Sequence, residues 1–155
     1  VLIADDHRVV REGLAAILKT KEDIHVIGEA QDGAEAVEKA RALLPDVILM
    51  DVSMPRMGGV EATRQVKREF PHIGIVALTM YEEQQYIFDL VRAGATGYLL
   101  KDSESSQIVA AIRAIYRGES LIHPSVASQI LAELSLMAQQ KGKKPSWADH
   151  DLTDR

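Results

Sequence analysis

Cysteine is absent from the 155 residues, which excludes disulfides and thiolate-bound metals. A reducing, cytoplasmic setting is compatible with that absence. No apolar run approaches the roughly 20 residues that cross a bilayer, and the N-terminus lacks the basic-then-apolar pattern of a secretory signal. No membrane partner is therefore expected. Basic excess is missing as well. The formal charge is −5 and the pI is near 5.5. This argues against the stretch gripping nucleic acid itself, because phosphate contacts need clustered Lys and Arg. His7, His25, His72, His123 and His150 show no metal-ligand spacing. The chain opens on Val1 without a methionine and stops at Arg155, so it is expected to be part of a longer protein.

What is present is an alternation. Apolar content of 46% in 155 residues suits one domain with a substantial core and a modest extension. Short apolar runs at Val1–Ala4, Ile24–Ala30, Asp46–Met50, Ile73–Thr79 and Gly97–Lys101 read as strands. Helical spacing lies between them. Val10, Leu14, Ile17 and Leu18 share one face. Asp32 with Glu35 has the form of a capping box opening the next helix. Further helices are expected from Gly59 to Phe70, from Glu82 to Ala93 and, capped by Asp102 or Ser103, up to Gly118. Five strands alternating with five helices predict an α/β fold, a doubly wound five-stranded parallel sheet. Val126, Ile130, Leu134 and Met137 mark a sixth helix, and Lys141–Pro145 reads as a linker.

Four strands end in a chemically useful residue: Asp5-Asp6, Asp51, Thr79 and Lys101. In a parallel sheet all carboxyl ends share one edge, so these side chains can converge. Converging carboxylates repel unless a cation lies among them. A hard ion such as Mg²⁺, held by one or two carboxylates and phosphate oxygens, suits such a set. Asp51 can then act as a nucleophile toward phosphorus. Lys101 offsets phosphoryl charge, and Thr79 can donate a hydrogen bond to a phosphoryl oxygen. Pro55 and Gly58-Gly59 turn the chain directly after Asp51.

This combination resembles a response-regulator receiver domain over about residues 1 to 118. The spellings Ala4-Asp5-Asp6-His7 and Gly94-Ala95-Thr96-Gly97-Tyr98-Leu99-Leu100-Lys101-Asp102 are similar to the LuxR/NarL-type branch. The resemblance implies a flavodoxin-like strand order 2-1-3-4-5. It implies that Asp51 accepts phosphate from a sensor histidine kinase, with Mg²⁺ bound by Asp5, Asp6, Asp51 and the backbone carbonyl of Ser53. It also implies that Thr79 and Tyr98 are a switch pair, Thr79 moving toward the phosphoryl group and Tyr98 turning inward. Residues 119–140 would then form a linker helix. Residues 141–155 would form a flexible linker and, at Leu152-Thr153-Asp154-Arg155, the first residues of a helix-turn-helix domain. DNA would be met through that domain and not through this stretch. Many receivers carry Lys-Pro with a cis peptide where this chain has Lys101-Asp102.

Each residue alone has a plainer reading. Asp51 could be a turn or cap, Asp5-Asp6 a helix cap, Thr79 a strand former, Lys101 a solvated lysine and Tyr98 strand packing. His7 reads as a first-turn helix residue, and Met54 and Met57 as loop packing. The Val126–Met137 stripe fits an interdomain helix or a homodimer contact. Other functions stay open: an aspartyl-nucleophile phosphatase, a flavodoxin-like nucleotide binder, or a dimerisation module that is never phosphorylated. The phosphatase reading sits poorly with an acceptor on the third strand. The nucleotide reading lacks a Ser/Thr/Gly-rich phosphate loop after the first strand. The switch reading predicts a signalling module with no turnover beyond its own phosphorylation and slow dephosphorylation.

Overall fold

The structure is a computed structural model and describes residues 1–80 and 85–139. Twelve elements alternate along it. They are β1 (Leu2–Ala4), α1 (Arg8–Lys19), β2 (Gly28–Ala30), α2 (Gly33–Leu43), β3 (Val47–Asp51) and α3 (Gly59–Glu69). The second half holds β4 (Gly74–Thr79), α4 (Ile87–Ala93), β5 (Gly97–Leu100), α5 (Ser105–Tyr116), β6 (Leu121–Ile122) and α6 (Pro124–Gln139). The sheet runs β2-β1-β3-β4-β5-β6, and every neighbouring pair is parallel.

The strands are apolar throughout because helices cover both faces. Ile48 and Met50 of β3 point into a core shared with α2, α3 and α4 through Val37, Ala62, Val66 and Leu90. Val47 and Leu49 point into the opposite core, against Leu14 and Leu18 of α1 and Ile108 and Ile112 of α5. All five β3 residues are buried. Full burial of one such aliphatic side chain contributes about 1.5–3 kcal/mol, so β3 is the element the two layers share.

The expected five-stranded order is present, and a sixth short strand extends it. Leu121 and Ile122 pair with Gly97 and Tyr98 of β5. The His123 N–H then donates to the Tyr98 carbonyl at 2.8 Å, which ties the start of α6 to β5. The second strand is shorter than expected. Only Gly28–Ala30 pairs with β1, while Ile24 is drawn into the α1/α5 core ahead of it. Helix α5 starts later than Asp102 or Ser103. A turn closed by Ser103 N–H on Leu100 O at 3.0 Å comes first, and Glu104 is the N-cap, its N–H bonded to Gln107 Oε1 at 3.0 Å. The described part of the fourth helix is Ile87–Ala93; the expected Glu82 start and the whole 141–155 segment fall outside the described residues. The Lys101–Asp102 peptide is trans.

Helix α6 packs on α4 and β5. Of its expected stripe, Val126 is fully buried and Ile130 packs on the same core, whereas Leu134 is exposed, as are Leu131 and Leu136 off the stripe.

Candidate functional site

The carboxyl edge of the sheet is built by local rules. β1 ends at Ala4, and the Asp5 N–H continues the ladder onto Ala30 O at 3.0 Å. Arg11 of α1 reaches back, its guanidinium donating to the Asp5 carbonyl at 2.7 Å. This fixes the bend between strand and helix. After β3 the chain folds tightly. Gly59 N–H donates to Val52 O at 2.9 Å, and a Cβ on Gly59 would lie 2.2 Å from Asp51 O. Only glycine permits α3 to begin so close to the acceptor strand.

Asp5 and Asp51 are both 0% exposed. Lys101 follows β5, its N–H on Thr79 O at 2.8 Å. Its Nζ lies 3.2 Å from Asp5 Oδ2 and 3.2 Å from Asp51 Oδ2. Apart from that ammonium, neither oxygen has a hydrogen-bond donor. One ammonium thus faces two buried carboxylates, and the group keeps a net negative charge. Burial, then the Asp5 charge, raise the Asp51 carboxyl to about 7 against the pull of Lys101 and of the Ser53 N–H. Burial alone would lower Lys101, but Asp51 and Asp5 outweigh it and hold the ammonium above its ordinary value.

Asp6 is more exposed and stands beside the pair. Oxygen or nitrogen atoms of Asp5, Asp6, His7 and Asp51 all lie within 4.8 Å of one another. Buried carboxylate oxygens without donors, left negative by a single ammonium, fit a hard divalent cation such as Mg²⁺. Ser53 lies in the same turn, its N–H donating to Asp51 Oδ1 at 3.3 Å.

The other two expected residues sit further back. Asp51 pairs with Leu78 across β3 and β4, so Thr79 stands one step beyond, next to Asp51 at the edge. Its hydroxyl donates to Leu99 O at 3.4 Å. Tyr98 is 4% exposed, packed with α4 and α6 residues, and its hydroxyl donates to Ala95 O. Burial raises its phenol above the ordinary value. Tyr98 thus sits inward in this structure, whereas the expectation places its inward turn after phosphorylation.

His7 is the residue that sequence reasoning set aside. It is the N-cap of α1, yet its side chain makes no cap hydrogen bond. The ring turns back instead, Nδ1 lying 3.2 Å from Asp5 Oδ1 and 3.1 Å from Asp6 Oδ1. Its position directly after Asp5-Asp6 was the available signal. A second unforeseen contact braces the site. Arg56, at a left-handed φ of 65°, pairs with the buried Asp32 at the N-terminus of α2. Gly33 N–H meets Met57 O at 2.8 Å beside it. A hollow of about 540 Å³, lined by Val1, Ile24, Pro45 and Tyr116, opens at the opposite end of the strands.

Comparison with known proteins agrees with this geometry. Residues 1–113 match the family model for the response regulator receiver domain. The chain is 47% identical over 134 residues to the transcriptional regulatory protein LiaR of Bacillus subtilis (strain 168), covering 86% of this chain and 64% of LiaR. It thus spans less than two thirds of that relative's length. Among solved structures, a LuxR-family two-component response regulator from Aurantimonas sp. SI85-9A1 superposes with a TM-score of 0.80 at 34% identity, covering 86% of this chain and 96% of that one. The receiver domain of the putative response regulator NarL from Mycobacterium tuberculosis superposes with a TM-score of 0.70 at 34% identity, covering 76% and 95%. The chain belongs to the response regulator receiver domain family, in its LuxR/NarL-type branch.

Proposed function

We propose that Asp51 is the phosphoacceptor of a switch that receives its phosphoryl group from a phosphohistidine on a sensor histidine kinase. The observation that carries this is a fully buried carboxylate at a strand end, one oxygen 3.2 Å from Lys101 Nζ and otherwise without a donor. An Asp51 oxygen attacks phosphorus, the new P–O bond forms as the P–N bond breaks, and the imidazole leaves with the electron pair. Asp5, Asp6, Asp51 and the Ser53 carbonyl would hold Mg²⁺, which when bound neutralises charge on the transferring group. Lys101 keeps its ammonium beside the acceptor and meets the new negative charge. Thr79 exchanges its weak bond to Leu99 O for a phosphoryl oxygen, and the β4–β5 edge adjusts around Tyr98. These are contacts that one state has and the other lacks, as a two-state change requires.

The switch serves transcription in the cytoplasm, through a DNA-binding domain beyond this stretch. Residues 1–118 act as the receiver, and α6 leads the chain toward that domain, with self-association of two copies as one possible output. The name of LiaR, a transcriptional regulatory protein, supports this reading. The module signals and does not turn over substrate.

The test is intact mass after treatment with a small phosphodonor and Mg²⁺. Wild type is expected to gain one phosphoryl group and Asp51→Asn none. An adduct of equal yield in Asp51→Asn overturns the assignment. Rapid multiple turnover of small phosphate esters would favour the phosphatase reading instead.

A further inference from the structure

His7 occupies a helix N-cap without capping. Its ring is 63% exposed, so an ion pair with the aspartates would contribute little by itself. What the orientation achieves is to bring Nδ1 within hydrogen-bond distance of Asp5 Oδ1 and Asp6 Oδ1, where a cation entering among them would take the place of the shared proton. The spacing matters here. Neighbouring ligands of an octahedral ion with bonds of about 2.1 Å stand about 3 Å apart, and opposite ones about 4.2 Å. His7 Nδ1 stands 3.1 Å from Asp6 Oδ1 and 3.2 Å from Asp5 Oδ1, and with Asp51 the four ligand atoms span no more than 4.8 Å. The buried Oδ2 atoms of Asp5 and Asp51, without donors other than Lys101, are the independent sign that a cation belongs there.

We propose that this pocket binds divalent first-row transition ions through a mixed imidazole and carboxylate set, with His7 Nδ1 as the nitrogen ligand, and that His7 sets the preference for such ions over Mg²⁺. The inference rests on the acidic pocket being a divalent-cation site. Mg²⁺ favours oxygen ligands and keeps its waters. Mn²⁺, Co²⁺ and Ni²⁺ gain progressively from an imidazole. His7 therefore acts on selectivity, and the pocket can respond to which ion is abundant.

The experiment is calorimetric titration of the chain with Ni²⁺, Mn²⁺ and Mg²⁺, repeated on His7→Ala and on His7→Asn, which supplies a side chain able to cap α1. The ratio of Ni²⁺ to Mg²⁺ affinity is expected to fall by about tenfold or more in both variants. Pulsed electron paramagnetic resonance of bound Mn²⁺ is expected to show a nitrogen coupling in wild type and none in either variant. His25, His72 and His123 remain in these variants and serve as the internal control for surface binding. An unchanged ratio, or no nitrogen coupling in wild type, overturns the proposal and leaves the Mg²⁺ site standing. Failure of wild type to bind any divalent ion, or undiminished binding by Asp51→Asn, overturns the cation site and this proposal with it.

Discussion

Asp32 and Asp51 are the same residue in equal burial, 3% and 0% exposed, each near the carboxyl end of a strand. Their environments differ. Asp32 is saturated: Oδ1 accepts the Glu35 N–H at 2.8 Å, and Oδ2 accepts from Arg56 Nε at 3.0 Å. Those partners, the Glu35 N–H first and Arg56 second, hold its carboxyl below the ordinary range despite burial. Asp51 has one long N–H contact on Oδ1, from Ser53 at 3.3 Å, only a half-share in one ammonium on Oδ2, and a like charge beside it, and is raised to about 7. Burial alone decides neither case. What separates a structural aspartate from a reactive one in this molecule is whether its donors are already supplied. At the N-terminus of α2 they are. At the end of β3 they are left for something that binds.

The contrast can be attacked from its strongest element downward. Lys101→Met removes the one cation from two buried carboxylates and should destabilise the metal-free protein by about 3 kcal/mol, read by urea unfolding at pH 8 in chelator. Asp51→Asn should do the reverse. It relieves the repulsion from Asp5 and raises stability under the same conditions by on the order of 1–3 kcal/mol. A loss of stability there would mean that Asp51 is as well satisfied as Asp32.

The same variant tests a pH slope. The unfolded chain gives up the Asp51 proton near 3.8 and the folded chain near 7. Between those values the unfolded state binds fewer protons, so the Asp51 contribution makes metal-free stability fall as pH rises. Asp51→Asn should flatten that fall, and so should added Mg²⁺. Asp32 has the opposite sign. Its carboxyl is depressed when folded, so its contribution is present above its unfolded value and is lost as pH drops through the folded one.

Asp32→Ala should cost about 1–2 kcal/mol, chiefly through the lost cap on α2. The smallest effect is expected at Arg56→Gly. The guanidinium is 70% exposed, so its ion pair is worth little. Glycine also relieves the left-handed backbone at that position. A change within about 0.5 kcal/mol is expected, and a larger loss would make the Arg56 clamp the real support of the α2 end.

Much of this contrast was legible in the residues. Asp5, Asp51 and Lys101 could be brought together because parallel strands share an edge, and the structure places them within ion-pair reach. The Asp32–Glu35 cap was legible because its spacing is local. Arg56 was not, because its pairing spans 24 residues and depends on a left-handed backbone that an arginine seldom adopts. Strand β6 was missed because two residues carry no period. Its pairing is decided by the edge that β5 leaves open. The late start of α5 turned on one extra turn after Lys101, where Asp102, Ser103 and Glu104 all had the chemistry of a cap. His7 was placed on its helix correctly to within one position. No helical pattern could say that its ring would fold back on the aspartates.

The hydrogen bond from His123 to the Tyr98 carbonyl has a mechanical consequence. Tyr98 lies two residues from the end of β5 and one strand from Thr79. Through His123 it also hitches the root of α6, a rod of 16 residues. At 1.5 Å per residue that rod is about 24 Å long, so a tilt of about 5° at its root sweeps the far end through about 2 Å. The helix is a lever whose pivot is the backbone of a buried tyrosine. A shift in β5 too small to disturb the sheet would still move whatever the chain carries beyond Gln139.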